Sequence, residues 1–241
     1  METLSDRSID LVIADPPYKL EMPEHNGVDD LLRDKRIKLV NETWDKFTLD
    51  EYIEFTEAWL RQAFRLVKPT GSVCTFGTYH NIGLINYVLQ RNHWMIINEI
   101  AWYKRNAVPN LACRRLTASY ETILWAAADK RYTFNYRDLK ETDCPNDRLK
   151  VPGKQMRNVW DIPTNSAESV GHPTQKPVVL YERLIRMACR DAMDTVILDP
   201  FAGSGTCAIA ARQLGYQTVL IERERSYQDI IRHRVAPPQI L

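Results

Sequence analysis

Asp15-Pro16-Pro17-Tyr18 follows the apolar run Ile9-Asp10-Leu11-Val12-Ile13-Ala14. A strand-like segment thus delivers a carboxylate, two rigid prolines and an aromatic ring to one loop. Proline fixes φ and has no N–H, and the residue before a proline is pushed towards extended geometry. The backbone carbonyls of such a loop splay outward as acceptors instead of closing a helical turn. Acceptors beside a π-face suit the gripping of a flat heteroaromatic ring that carries an amino group. An ordinary strand-ending turn uses the same residue types, so this segment by itself leaves both readings open.

A second constellation narrows the choice. Asp199-Pro200-Phe201-Ala202-Gly203-Ser204-Gly205-Thr206 stands between the strand-like run Thr195–Asp199 and a helical segment. Glycines let a ligand approach the backbone, and a helix N-terminus presents free N–H groups. The segment is not the dinucleotide fingerprint, because the third glycine is missing and proline and phenylalanine intrude. Glu222 ends the next strand-like run, Gln217–Ile221, where doubly wound folds place the carboxylate that holds ribose hydroxyls. Together these features predict a nucleoside-containing cofactor.

The two motifs resemble those of the S-adenosylmethionine-dependent amino-methyltransferases of DNA. Their order, catalytic loop first and cofactor loop last, is similar to the permuted β group of that family. His172-Pro173-Thr174-Gln175-Lys176-Pro177 matches the segment that precedes the cofactor loop in that group. The resemblance implies a single Rossmann-like methyltransferase domain over 1–241: a catalytic half at 1–128, a target-recognition insert at 129–170 and a cofactor half at 171–241. It implies that Asp15, Pro16, Pro17 and Tyr18 are catalytic, Asp15 and the Pro16 carbonyl accepting from the target amine and Tyr18 stacking on the base. It assigns S-adenosylmethionine to Asp199, Phe201, Ala202, Gly203, Ser204, Gly205 and Thr206, with Glu222 on the ribose and Thr174 and Lys176 at the methionine carboxylate. Family members also begin with a further strand and a Gly-Asp pair that holds the cofactor's adenine. Met1 falls about where the helix after that strand would be. The expectation is that this strand either lies ahead of Met1 or is absent, with one sheet edge and one cofactor contact.

An acid at the first motif position implies, by the same resemblance, adenine N6 as the target. A cytosine-N4 or an RNA methyltransferase of the same chemistry is the alternative, and a catalytically weak DNA-binding accessory subunit is a third reading. Cytosine C5 chemistry needs a thiolate that adds to the ring, and Cys144-Pro145 has the wrong order for that nucleophile. The partner expected is double-stranded DNA, with the target base flipped out. A homodimer and a cognate restriction endonuclease are compatible with the resemblance. Candidate DNA-binding residues are Lys104, Arg105, Arg114, Arg115, Arg131 and Lys154, with Asn106 and Asn110 near the arginine pair. Guanidinium and amide groups match guanine and adenine edges, while most cations should contact phosphates. Acids interleave with these cations, so composition alone describes an ordinary solvated surface.

These residues need a frame that positions them. Alternating strand-like and helical segments predict an α/β fold, a doubly wound, mostly parallel sheet covered on both faces. Thr48-Leu49-Asp50-Glu51 is a capping box opening a helix with apolar positions at Tyr52, Phe55, Trp59, Ala63 and Leu66, which Pro69-Thr70-Gly71 ends. Residues 19–47 are polar without a steady period and read as a mobile loop. Ser72–Phe76, Trp94–Trp102 and Tyr120–Ala127 read as strands, and Ile82–Gln90, Pro177–Arg190 and Tyr227–Arg234 as helices. Between Asp129 and Ser169 the apolar period fades, although Tyr132, Phe134, Tyr136, Met156 and Trp160 give that stretch weight to dock.

The 241 residues, 44% hydrophobic and 26% charged, suit an ordinary globular core. The formal net charge of +1 means that any DNA-binding surface must be local. Five scattered cysteines without a CxxC pattern exclude a zinc site or disulfide framework as an expectation. With no run long enough to span a membrane and no signal-peptide pattern, a cytoplasmic location is expected.

Overall fold

A computed structural model describes residues 1–18, 47–110, 113–164, 175–190 and 192–236. The expected loop at 19–47, apart from Phe47, and residues 165–174, including Thr174, lie outside the described residues. Among the described residues, seven strands form one sheet in the order β5-β3-β4-β2-β1-β6-β7. They are β1 (Ile9–Ala14), β2 (Val67–Gly77), β3 (Met95–Tyr103), β4 (Tyr120–Ala127), β5 (Val159–Asp161), β6 (Val196–Asp199) and β7 (Gln217–Leu220). The helices are α1 (Leu49–Leu66), α2 (Ile82–Arg91), α3 (Tyr136–Glu141), α4 (Val178–Ala188), α5 (Thr206–Gln213) and α6 (Arg225–Val235).

β1 is central, parallel to both β2 and β6. Its residues are buried on both faces apart from Asp10, which is why it reads as a continuous apolar run instead of an alternating one. From β1 the chain crosses through α1 to β2 on one side, and from β6 through α5 to β7 on the other. Right-handed crossovers running outward in opposite directions put their helices on opposite faces of a sheet. Accordingly, Tyr52, Trp59, Leu60 and Ala63 of α1 join Ile85, Val88 and Leu89 of α2 in a core with Val12 and Leu198. Leu180, Leu184 and Ile185 of α4 join Cys207, Ala210 and Ala211 of α5 in the other core, with Leu11, Ile13 and Ile197. The point between β1 and β6 is therefore the topological switch of the sheet, where doubly wound folds open a crevice outside the strand carboxyl ends.

A local signal accounts for the start of α1. Thr48 caps α1: its hydroxyl accepts from the Glu51 N–H, and the Glu51 carboxylate accepts from the Thr48 N–H. The Glu51 carboxyl is held below its ordinary range by those same Thr48 groups. The end of α1 differs from the expectation. The helix stops at Leu66 and β2 starts at Val67, so Pro69-Thr70-Gly71 lies within an irregular opening of the strand. Its register on β1 jumps from Ile9↔Val67 to Leu11↔Ser72.

β4 runs antiparallel to both β2 and β3, and β5 adds parallel to β3. The 129–164 stretch is thus built into the sheet and its core. Leu139, Trp160 and Ile162 are buried in the α4–α5 core, with Tyr132 and Met156 packed against it. The fading apolar period hid this, because β5 has three residues and α3 six, too few to show a period. An ion pair at 2.5 Å between Arg183 of α4 and Asp147, both almost fully buried, holds the segment down. Asp147 also accepts the N–H groups of Leu149 and Asp161, and the Arg183 guanidinium lies 5.1 Å from the Trp160 ring centre.

Candidate active site

The strand order places the loop after β1 beside the loop after β6. The first carries Asp15, Pro16, Pro17 and Tyr18. Pro16 and Tyr18 are buried and Asp15 and Pro17 partly exposed. The Pro17 carbonyl accepts from the Tyr52 hydroxyl of α1 at 3.0 Å and faces the Asn81 side-chain amide at 3.5 Å. That amide also donates to the Tyr52 oxygen at 2.8 Å. Two buried groups from separate elements therefore fix the second proline, and its carbonyl is spent on holding the loop.

Asp15 is engaged through both carboxylate oxygens. Tyr18 donates its hydroxyl to Oδ1 at 2.6 Å, and Lys176 donates from Nζ to Oδ2 at 2.7 Å. Glu121, at the start of β4, completes the cluster. Its Oε2 lies 3.1 Å from the Tyr18 hydroxyl and 3.5 Å from Lys176 Nζ, and its Oε1 accepts from Lys104 at 2.9 Å. Only 4% of the Lys176 side chain and 17% of that of Asp15 are exposed. The ammonium also sits 5.0 Å from the Tyr18 ring centre and 5.5 Å from that of Phe76.

Burial and charge oppose one another here. Burial pulls the Lys176 ammonium towards neutrality, but Asp15 and Glu121 outweigh it and hold the pKa above that of an ordinary lysine. Burial lifts Glu121, while Lys176 and Lys104 bring it below the usual glutamate range. The Tyr18 phenol is pushed well up by burial and then by the two carboxylates, so it remains a donor. Lysines and carboxylates thus share a largely buried pocket, and the charged forms of Lys176 and Glu121 are favoured there by the opposite charges facing them.

In the second loop the carbon-end carboxylates of β6 and β7 differ. Asp199 is buried, its Oδ1 accepting the Phe201 N–H at 3.0 Å. Burial raises its pKa to about 8, with Asp15 and Glu222 adding to the rise against the lowering effect of that N–H. Glu222 is partly exposed and accepts from the Gly203 N–H at 2.8 Å through one oxygen and the Glu224 N–H at 2.7 Å through the other. Each oxygen keeps lone-pair capacity for a further donor, which suits a hydroxyl-bearing sugar.

The rest of the loop divides by direction. Gly205 has φ 78°, and a Cβ there would lie 3.0 Å from Ile231 of α6, so its missing side chain serves helix packing and not a ligand path. Ser204 and Thr206 are buried and within 3.3 Å of each other through their hydroxyls, and Arg234 binds the Ser204 carbonyl. Ala202 is buried too, while Phe201 packs on Phe55 and Trp59 of α1. Gly203 and Phe201 remain partly exposed. An aromatic edge, a glycine backbone and a carboxylate with spare acceptor capacity fit a nucleoside cofactor.

The family model described as DNA methylase matches residues 9–233. The chain belongs to the DNA methylase family. The methylase is 38% identical over 242 residues to type II methyltransferase M2.DpnII of Streptococcus pneumoniae, covering 98% of this chain and 85% of that protein. It is 36% identical, with the same coverage, to type II methyltransferase M2.LlaDCHI of Lactococcus lactis subsp. cremoris. Among solved structures, that of the M1.HpyAVI–SAM complex is similar at a TM-score of 0.67 and 24% identity, over 98% of this chain and 91% of that one. The methylase is accordingly a site-specific DNA methyltransferase with the class I methyltransferase fold, and DNA is its substrate.

Several of the expected site residues have partners within the protein. Lys176, expected at the methionine carboxylate, pairs with Asp15. Tyr18, expected to stack on the base, is buried and hydrogen-bonded within the cluster. Lys104 is drawn inward onto Glu121, with 16% of its side chain exposed. Arg105 holds Asp161 at 2.7 Å and the Asn146 carbonyl, so it braces β5 instead of facing solvent. Arg131 is exposed but clamped to Asp129, two residues away. Arg114, Arg115 and Lys154 are exposed, and Arg115 donates to the Tyr79 hydroxyl at 2.8 Å. Sequence reasoning missed Glu121, Tyr52 and Asn81. For Glu121 a signal existed: an acid opening the apolar run of β4.

Proposed function

We propose that the methylase transfers a methyl group from S-adenosylmethionine to the exocyclic N6 amine of an adenine turned out of duplex DNA. The observation that carries this reading is the meeting of the Asp15–Tyr18 and Asp199–Thr206 loops at the sheet's switch point. When bound, S-adenosylmethionine supplies a methyl group already activated by a positive sulfur. The protein's task is then chiefly alignment. Asp15 accepts a hydrogen bond from the amine, with the Pro16 carbonyl, and both favour a tetrahedral nitrogen and the positive charge that grows on it. Tyr18 offers an aromatic face to the extruded base, whose removal from the stack costs about a few kcal/mol. Transfer would leave the cofactor as a neutral thioether and the amine as a cation held by Asp15 and the Pro16 carbonyl, which would then release one proton to solvent.

Glu222 and the Gly203 backbone are the part of the second loop that holds the cofactor's sugar. Phe201 borders it, and Asp199, Ala202, Ser204, Gly205 and Thr206 shape the turn from behind. Thr174 belongs with the cofactor's methionine end by resemblance alone. An acid at position 15 favours adenine over cytosine N4. For DNA, the exposed Arg114 and Arg115 on the β3–β4 connection, with Asn106 and Asn110, read base edges or phosphates, and Lys154 adds a phosphate contact from the 129–170 insert. A cognate restriction endonuclease as functional partner and a cytoplasmic site of action belong to the same reading. Whether a homodimer forms is read by light scattering.

Incubation of labelled S-adenosylmethionine with mixed duplex DNA and RNA, followed by nucleoside digestion, tests the reading. The expected product is N6-methyladenine in DNA, lost in Asp15→Ala. Label in N4-methylcytosine would reassign the base, and label in RNA alone would reassign the polymer.

A further inference from the structure

Glu121 belongs to no motif, yet it approaches both of the groups that hold the proposed amine-binding carboxylate, Tyr18 and Lys176. We propose that Glu121 is a positioning residue that sets the charge balance of the methyl-transfer site, an inference that rests on the role of Asp15 proposed above.

Both oxygens of Asp15 carry a donor, Tyr18 on one side and Lys176 on the other. An incoming amine needs acceptor capacity on this carboxylate, and Lys176 is its strongest competitor. Glu121 Oε2 stands 3.5 Å from the same ammonium and 3.1 Å from the same phenol. It is therefore a second acceptor for both donors, so they can lean from Asp15 to Glu121 without losing a charged partner. Lys104 donates to the other oxygen of Glu121 at 2.9 Å and so sets a second positive charge against the same carboxylate.

The charges make the sign definite. Asp15 and Glu121 against Lys176 and Lys104 give a neutral set. Positive charge spreads from sulfur towards the amine nitrogen during methyl transfer. Removing the Glu121 charge leaves a net cation beside that nitrogen and binds Lys176 to Asp15 alone. Removing the Lys104 charge leaves a net anion instead. The two substitutions, on groups in direct contact, must move the chemical step in opposite directions. A bracing role for the Lys104–Glu121 pair would slow the step in both.

The experiment is single-turnover methyl transfer to duplex DNA at saturating DNA and S-adenosylmethionine. Glu121→Gln is expected to slow the step by about 10²-fold while cofactor and duplex dissociation constants stay within about twofold. Lys104→Gln is expected to raise the rate, and the double variant, neutral again, to recover most of the loss. A Glu121→Gln rate within about threefold of the parent, a slower Lys104→Gln, or a double variant slower than Glu121→Gln would each overturn the proposal. Should Glu121→Gln fail to fold, as judged by circular dichroism, Lys104→Gln decides alone. Asp15→Ala separates the two readings: if it transfers methyl at the parental rate, the role of Asp15 fails. If it is inactive while Glu121→Gln is unimpaired, only the role of Glu121 fails.

Discussion

Asp199 shows how position along a sheet changes one residue type. Asp15 and Glu222, at the ends of neighbouring strands, reach partners or solvent, whereas Asp199 is enclosed with one backbone N–H. Its pKa of about 8, against an ordinary 3.8, has a definite consequence for stability. The folded chain binds this proton more tightly than the unfolded chain does. The group's contribution to stability is therefore fully present below pH of about 4 and is lost as pH rises through about 8. An asparagine side chain in its place would never ionise and would keep the acceptor for the Phe201 N–H. The advantage of Asp199→Asn over the parent should grow between these limits by at most about 1.4 kcal/mol per pH unit and level off above. Urea midpoints of both proteins at several pH values check this, and a pH-independent difference would count against it. At this scale the motifs were legible and their partners were not. Asp15, Tyr18, Asp199 and Glu222 announce themselves by residue type after apolar runs. Nothing local says that Lys176, 161 residues from Asp15, becomes its ion partner, or that Tyr52 and Asn81 hold Pro17.

At the scale of elements, strands and helices were recovered where periodicity was long or a cap was explicit. The capping box of α1 and the apolar run of β1 are such cases. The α1–β2 junction was read differently, because Pro69 and Gly71 look like a helix stop when they are part of an irregular strand opening. Gly71 has a stricter reason to be there. A Cβ at this position would lie 2.6 Å from the Asp10 carbonyl and 2.8 Å from Val67, so the backbones of β1 and β2 approach too closely for any side chain. Gly71→Ala should therefore destabilise the fold by about 1–3 kcal/mol, measured by urea denaturation. Because β1 carries Asp15 at its far end, methyl transfer at moderate temperature should suffer less than stability does. A variant as stable as the parent would show that the two strands can part without cost. β5 escaped sequence reading for a related reason: an edge strand of three residues gains its identity from pairing with β3, not from its own pattern.

Across the whole molecule, two cores on opposite faces hold one sheet whose carboxyl edge gathers the chemistry. The net charge of +1 conceals this arrangement, since cations are not distributed by function along the chain. Folding sorts them: Lys176, Lys104, Arg183 and Arg105 are drawn into ion pairs, and Arg114, Arg115 and Lys154 stay outside. If Arg114 and Arg115 meet phosphates, Arg114→Ala/Arg115→Ala should lower the slope of log affinity against log salt by about 2. Fluorescence anisotropy on a labelled duplex from low to moderate salt measures it. An unchanged slope would remove both residues from the phosphate-binding surface, and a lost preference among sequences at unchanged slope would assign them to bases.

The switch point between β1 and β6 has a consequence for synthesis. β1 precedes both of its neighbours in the chain and can pair with β2 soon after synthesis, but its other neighbour, β6, follows only after β5. Until that late strand zips onto β1, Asp15 has no Asp199 loop beside it. A nascent or prematurely ended chain can therefore hold the base-gripping half of the site and still modify nothing. Timing is thus written into strand order: the site is completed late, when β6 docks beside β1 and β7 follows with Glu222 behind it.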